Sequence, residues 1–198
     1  RRCRPRGRYA ARLMRAGIRR FDARVDAVFE GLRGRREVDR LFYGASALGD
    51  FGLLWVMAAL VRALRGRPND ERAAARSVVA TGIESVLVNA ILKAFFGRGR
   101  PVAGGLVHPF PFRQPLTSSF PSGHATAAFC AATLLSEGDD LGPLYFGAAT
   151  VVALSRIHVR IHHASDVAAG IAVGCALGLL GRRLSPLPDP PVRGLSAR

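Results

Sequence analysis

Residues 155–181 have the sequence SRIHVRIHHASDVAAGIAVGCALGLLG, which joins a basic, histidine-rich link to an apolar stretch. The apolar part carries no charged residue after Asp166 and is rich in glycine and alanine. Small residues of this kind let helices pack closely inside a membrane. The segment therefore predicts a membrane helix that begins at a cluster of polar side chains.

Four other apolar stretches lie between this helix and residue 40. They are residues 41–61, 77–92, 125–136 and 141–155. Several are shorter than the roughly 20 residues of an ideal span, and a buried soluble bundle is the alternative, but so many apolar stretches leave too little polar surface for a soluble domain. We predict an all-α, polytopic transmembrane bundle of about five spans in the cell membrane, with Asp50 and Glu84 facing its interior.

The charge balance of the chain points to an anionic partner. With 29 Lys and Arg against 14 Asp and Glu, the net charge is +15, which suits nucleic acid, a lipid surface or a phosphorylated substrate. We expect that the chain does not bind nucleic acid, because few aromatic residues accompany the arginines of residues 1–40 and the rest of the chain is as apolar as a membrane protein. The 49% of hydrophobic residues exclude disorder for most of the chain, and three scattered cysteines argue against a disulfide scaffold.

Composition divides the chain into three parts: an arginine-rich segment at residues 1–40, an apolar domain at residues 41–183 and a proline-rich tail at residues 184–198. In the first part, Phe21, Val25 and Phe29 recur at helical spacing. This pattern indicates an amphipathic basic helix on anionic lipid headgroups, or else an arginine-rich tail with an ordinary surface helix. The composition of the last part predicts disorder.

The polar links between the apolar stretches should gather at one membrane face. If each stretch crosses once, links 97–123 and 156–166 lie on the same side. All five histidines and the only lysine, Lys93, are in or beside these two links. We therefore expect a functional site at that face.

The first cluster at this face consists of two cations, Lys93 and Arg100. Lys93 offers a point charge and Arg100 a forked guanidinium, a combination that suits a phosphate group. A snorkelling lysine and a positive flank at the membrane edge would have the same appearance.

The segment Ser122-Gly123-His124 opens an apolar helix. Free backbone N–H groups at such a helix start form an anion site. His124 in the first turn could donate a proton to a leaving oxygen. The alternative is a simple serine cap beside an uninvolved histidine.

The third cluster lies within residues 155–181, the segment quoted at the start of this section. His162 and Asp166 are four residues apart and share a face if the segment is helical. A carboxylate bonded to one imidazole nitrogen leaves the other free to act as a nucleophile. Arg156 adds a third cation. A polar interhelical loop is one alternative, and a metal site of His and Asp is another, although three cations would repel a divalent ion.

Together, these segments resemble the type 2 phosphatidic acid phosphatase (PAP2) superfamily, with its pattern K-x6-R-P, then P-S-G-H, then S-R-x5-H-x3-D. The matching residues are Lys93, Arg100 and Pro101; Pro121, Ser122, Gly123 and His124; and Ser155, Arg156, His162 and Asp166. The resemblance covers about residues 41–181. It implies an integral membrane phosphatase acting on phosphatidic acid, phosphatidylglycerol phosphate, or a polyprenyl phosphate or diphosphate.

The resemblance also implies residue roles. His162 would attack phosphorus to form a phosphohistidine, Asp166 would orient it, and His124 would protonate the leaving alkoxide. The phosphoryl oxygens would be held by Lys93, Arg100, Arg156, Ser122 and the amide of Gly123. It implies no metal and no other cofactor, because cationic side chains take the place of magnesium. A phosphotransferase using the same histidine and a non-enzymatic membrane anchor with a basic arm are the alternatives.

Two positions depart from the common pattern of the family. Arg160 stands where many members carry glycine, and His158 stands where an aromatic residue is common. They are candidate contacts for a second phosphate or a polar headgroup, or else outward-facing contacts at the membrane surface. The membrane face stays open, because five spans place the arginines of residues 1–40 on the site's side, where the positive-inside rule indicates the cytoplasm, whereas lipid phosphatases of the family usually face outside.

Overall fold

The structure, a computed structural model, describes residues 6–101 and 117–188. The elements in these ranges are α1 (Arg6–Glu30), α2 (Arg36–Leu48), a 3₁₀ turn (Asp50–Gly52), α3 (Leu53–Leu64), α4 (Asp70–Val86), a π-helical segment (Leu87–Leu92), α5 (Lys93–Phe95), α6 (Gly123–Leu135), α7 (Gly142–His158) and α8 (Ala164–Leu184). The predicted all-α architecture is confirmed. Most of the proline-rich tail, and His108, lie outside the described residues.

A helix forms at each of the five apolar stretches, but fewer are long enough to span a membrane. Within the described residues, Asp70–Phe95, with 26 residues, and Ala164–Leu184, with 21, meet the length and composition of a span. The pair α2 and α3 becomes a third if it counts as one span bent by 76°. The bend arises because the chain breaks between the two helices, where Gly52 adopts a left-handed φ of 67°.

Helix α6 lies in the middle of the bundle, packed against α4, α7 and α8. Its contact with α8 depends on glycines that leave no room for a side chain. A Cβ atom at Gly174 would lie 2.4 Å from the carbonyl oxygen of Thr126, and one at Gly170 would lie 2.6 Å from that of Ser122. The small residues in the sequence therefore set the close packing that fixes the start of α6 beside the start of α8.

Helix α1 docks on the bundle. Phe29 is buried in a cluster with Ile157 and Val167 of α7 and α8. The guanidinium of Arg33 donates to the carbonyl oxygens of Ile157 at 3.0 Å and His158 at 2.9 Å. Part of the apolar stripe predicted from the sequence thus covers the protein itself, and the boundary predicted at residue 40 falls inside α2.

Ion pairs join the helix ends remote from the polar links. Arg62 is buried and donates from Nε to Asp70 at 2.9 Å and from Nη1 to the carbonyl oxygen of Leu135 at 2.5 Å. Arg76 donates to Glu137 at 2.6 Å. These bonds hold the α3–α4 and α6–α7 turns together, so the polar links at the other end emerge from a fixed base.

Candidate active site

A cavity of about 1190 Å³ opens between the α2–α3 bend, α4, and the start of α6. Six of the residues predicted from the sequence line it: Lys93, Arg100, Gly123, His124, Arg156 and His162. Two others, Ser122 and Asp166, are fully buried at the starts of α6 and α8. Residues far apart in sequence therefore meet at one end of the bundle, as the alternation of spans predicts.

His162 follows α7 and is 4% exposed. Its Nδ1–H donates to the carbonyl oxygen of Ser119 at 2.7 Å, which leaves Nε2 without the proton and available to the cavity. Burial, together with the charges of Arg156 and Arg100, lowers the pKa of His162 to about 4 against the opposing effect of Asp166. The imidazole is therefore neutral at physiological pH, as a nucleophile must be.

Asp166 lies close to His162 without a hydrogen bond between them. The distance from Asp166 Oδ2 to His162 Nδ1 is 3.9 Å, too long for the orienting bond that the sequence suggested. The carboxylate instead accepts from the backbone N–H of His163 at 2.8 Å and from Arg98 Nη1 at 2.7 Å. Ser119 orients the imidazole in this structure, and Asp166 acts on it as a nearby negative charge.

Arg98 and Asp22 are functional neighbours that sequence reasoning missed. Arg98 donates to Asp22 of α1 at 2.6 Å and to Asp166 at 2.7 Å. Asp22 also accepts from the backbone N–H of Ser165 at 2.8 Å. An arginine between the two predicted cations, Lys93 and Arg100, was a local signal, but nothing in the sequence pairs it with an acid in α1.

His124 has a carboxylate partner of its own. Its Nε2 lies 2.7 Å from Asp50 Oδ1, at the break between α2 and α3. A cation also lies beside this carboxylate, since Arg156 Nη1 is 4.0 Å from the same Asp50 atom. The sequence predicted that Asp50 faces the interior of the bundle. Its pairing with His124 is new, and it supplies the counter-charge that a protonated imidazole requires.

The cations stand around the space in front of His162. Arg100 is fixed by donation to the carbonyl oxygen of Ile161 at 3.0 Å, and Arg156 by donation to the hydroxyl of Ser46. Arg156 Nε and Ser122 Oγ are buried and have no hydrogen-bond partner within the described residues. Buried donors are rarely left in this state, and a bound anion would satisfy both.

Metal ligands do not form a cluster in the described part of the chain. In residues 6–101 and 117–188, no group of three or more His, Cys, Asp or Glu side chains is placed to hold an ion.

The two candidate secondary substrate contacts lie away from the cavity. His158 Nε2 is 2.8 Å from Asp39 Oδ1, and its ring packs on Phe42. Arg160 pairs with Glu30 of α1. These ion pairs make both residues docking contacts for α1 and α2. Their contact with a second phosphate or a polar headgroup stays a prediction.

Comparisons with known proteins identify the family of the chain. The family model of the PAP2 superfamily matches residues 73–187, more than half of the chain. The chain belongs to the PAP2 superfamily. The resemblance drawn from the three motifs is confirmed, and with it an integral membrane phosphatase of lipid phosphates.

Relatives of this PAP2 chain can be compared along most of its length. The decaprenylphosphoryl-5-phosphoribose phosphatase of Mycobacterium tuberculosis is 34% identical over 140 residues, which are 69% of this chain and 75% of the relative. The crystal structure of LpxE of Aquifex aeolicus matches with a TM-score of 0.65 and 26% identity, over 81% of this chain and 94% of that one. The PAP2-type phosphatidylglycerolphosphate phosphatase of Bacillus subtilis shares the fold, with a TM-score of 0.62, 22% identity and coverage of 80% and 83%.

Proposed function

We propose that this PAP2 phosphatase works through His162 as nucleophile, with His124 as acid and base. The observation that carries the proposal is the orientation of His162, whose Nδ1 is held by Ser119 while Nε2 faces a cavity whose lining includes Lys93, Arg100 and Arg156. The Nε2 lone pair forms a bond to phosphorus, the bond from phosphorus to the alkoxide breaks, and His124 gives its proton to that alkoxide.

The second half of the reaction regenerates the enzyme. Water attacks the phosphohistidine, His124 takes the proton of that water, and the bond between phosphorus and Nε2 breaks. Inorganic phosphate leaves. Atoms and charges balance over the cycle, because the proton given to the alcohol in the first half is recovered from water in the second.

Phosphoryl transfer chiefly needs stabilisation of charge on the equatorial oxygens. Lys93, Arg100 and Arg156 supply that charge, together with the start of α6 at Ser122 and Gly123. Cationic side chains in these positions support hydrolysis without a divalent metal.

For the substrate, we propose a polyprenyl lipid that carries a phosphate monoester. The Mycobacterium tuberculosis relative is named for decaprenylphosphoryl-5-phosphoribose, and it is similar over most of both chains. The cavity extends from the cations to apolar residues such as Trp55 and Val56 of α3, which suits a prenyl chain. Phosphatidic acid and phosphatidylglycerol phosphate are the other lipid phosphates that the fold could hold.

We also propose that the outer face of α1 rests on anionic lipid headgroups. Arg15, Arg19 and Arg20 are exposed there, next to the exposed apolar side chains of Met14 and Ile18. A basic helix with apolar side chains at its rim binds the interface of an anionic bilayer.

The function is tested by phosphate release from the purified full chain in detergent, with chelator present. Polyprenyl phosphate, polyprenyl-phosphoryl-ribose 5-phosphate, phosphatidate and phosphatidylglycerol phosphate are the substrates. We expect release from at least one of them, loss of it in His162→Ala, and retention in His163→Asn, which keeps a side chain able to cap α8. Equal release by His162→Ala and the wild-type chain would overturn the mechanism.

A further inference from the structure

One acidic side chain in the cavity has no role in the reaction described above. Glu84 of α4 lines the same cavity as His124 and His162 and is 2% exposed. Neither of its carboxylate oxygens has a hydrogen-bond partner among the described residues. A carboxylate in this condition is unfavourable inside a membrane protein, and such residues usually mark a binding site or a transport path.

The neighbours of Glu84 on α4 extend the polar surface. Thr81 lies about one turn before Glu84, and its hydroxyl is also buried without a partner in the described part of the chain. Ser77 and Ser85 line the cavity on the same helix. These groups form a polar strip along an otherwise apolar wall, which includes Val78 and Trp55.

The position of the polar strip relative to Lys93 follows from the helix that carries both of them. Asp70–Phe95 is continuous, and Glu84 precedes Lys93 on it. Lys93 closes that helix at the phosphate end, so Glu84 lies farther from the phosphate, on the side of the lipid chain.

The chemistry of the strip selects the kind of group that can bind. The oxygens of Glu84 accept hydrogen bonds whether the carboxyl group is ionised or neutral, so a ligand that donates hydrogen bonds satisfies them. A cationic group is opposed by Lys93, Arg100 and Arg156, which line the same cavity. Hydroxyl groups donate without adding charge, and two adjacent hydroxyls of a sugar can satisfy both carboxylate oxygens, as acidic residues do for ribose in dinucleotide-binding folds.

We propose that Glu84, with Thr81, forms a hydroxyl-binding subsite that selects lipid phosphates carrying a sugar or polyol between the phosphate and the lipid chain. The proposal rests on the phosphatase function and refines its substrate class. A substrate without these hydroxyls leaves Glu84 buried and unsatisfied when it fills the cavity, so it binds less well in the transition state.

Two matched substrates test the proposal. Both are prenyl-phosphoryl-ribose 5-phosphates with the same prenyl chain, and the second lacks the 2- and 3-hydroxyls. We expect the wild-type chain to prefer the hydroxylated substrate by at least about tenfold in kcat/KM, because a site built for hydroxyls discriminates strongly against their absence. This comparison needs no variant and is therefore independent of folding.

Glu84→Gln should lower kcat/KM for the hydroxylated substrate about tenfold and change the dideoxy substrate less than about twofold. Glu71→Gln, at an exposed position of the same helix, is the matched control and should change neither. Equal wild-type rates for the two substrates, or an equal loss on both in Glu84→Gln, would overturn the subsite while the phosphatase function stands. Absence of phosphate release from both by the wild-type chain would instead count against the proposed function.

Discussion

Arg98 joins Asp22 of α1 to Asp166 of α8, with nitrogen–oxygen distances of 2.6 Å and 2.7 Å. A helix from the arginine-rich N-terminal segment is thereby connected to the carboxylate beside the proposed nucleophile. We therefore propose that Arg98 and Asp22 are positioning residues, which act on His162 through Asp166.

We predict that Arg98→Gln and Asp22→Asn each lower kcat by about 10- to 100-fold, because small displacements near a reacting group cost rates of that order. The KM should change little, since neither side chain is placed to touch substrate. The measurement is steady-state phosphate release across pH, in which a shifted acid limb would report the altered field at His162. Asp26→Asn, on the exposed side of α1, is the control; a loss as large in this control would assign the effect to α1 docking.

The pair of Asp50 and His124 leads to a prediction that depends on the leaving group. Asp50→Asn should lower kcat/KM, which reports the first half of the reaction, about 100-fold on an alkyl phosphate, because general acid catalysis contributes on that order. On nitrophenyl phosphate, whose leaving group needs no proton, the loss of kcat/KM should be small. His124→Asn should give the same pattern, and a loss of equal size on both substrates would contradict the role of this pair.

The buried neutral state of His162 predicts how stability depends on pH. Its folded pKa of about 4 lies below the ordinary value of 6.5, so the unfolded chain binds more protons between these values. The contribution is fully present above pH 6.5 and is lost as the pH falls toward 4. We expect the wild-type chain to lose about 3 kcal/mol more than His162→Gln over this range, as measured by denaturant titration in detergent; parallel curves for the two would contradict the buried neutral imidazole.

Packing of α8 on α6 predicts a large effect of one methyl group. Gly174→Ala should lower the free energy of unfolding by about 1–3 kcal/mol, the usual cost of overpacking, because the new Cβ would lie 2.4 Å from the carbonyl oxygen of Thr126. Gly147→Ala is the matched control in α7, where nothing lies within 4 Å of the added atom. It should be neutral or stabilising, and thermal unfolding of both variants distinguishes the two sites.

The exposed arginines of α1 predict a dependence on lipid charge. Replacement of Arg15, Arg19 and Arg20 with glutamine should remove any stimulation of activity by anionic phospholipid in nanodiscs, and leave activity in neutral nanodiscs unchanged. A triple variant that responds to anionic lipid as the wild-type chain does would contradict membrane binding by this face.

Much of the site could be predicted because its residues belong to local patterns. The start of an apolar helix at His124, and the link that carries His162, are visible in the sequence. The alternation of spans then brings them to one face. The contacts of Asp22 with Arg98 and of Asp50 with His124 could not be predicted, because each joins distant segments through single side chains without a periodic signal.

The first apolar stretch and the ion pairs of Arg160 and His158 show the limits of composition. Hydropathy marks the first apolar stretch as continuous, but Gly52 and its neighbours break it into two helices. Arg160 and His158 lie among motif residues, yet their nearest acids are Glu30 and Asp39 on α1 and α2. A glycine at the break decided the first outcome, and tertiary packing, which no local pattern encodes, decided the second.

The family match begins at residue 73, whereas Asp50, which contacts His124, and Asp22, which contacts Arg98 alongside Asp166, come from the α2–α3 break and from α1. A fragment cut at the start of the match would keep every motif residue and still lack both counter-ions. Expression of the matched region alone, or its transfer onto another N-terminal half, would therefore yield a complete signature with an incomplete reaction centre. Distant homologues should be compared by whether an acid reaches each of these two positions in space, whichever helix supplies it.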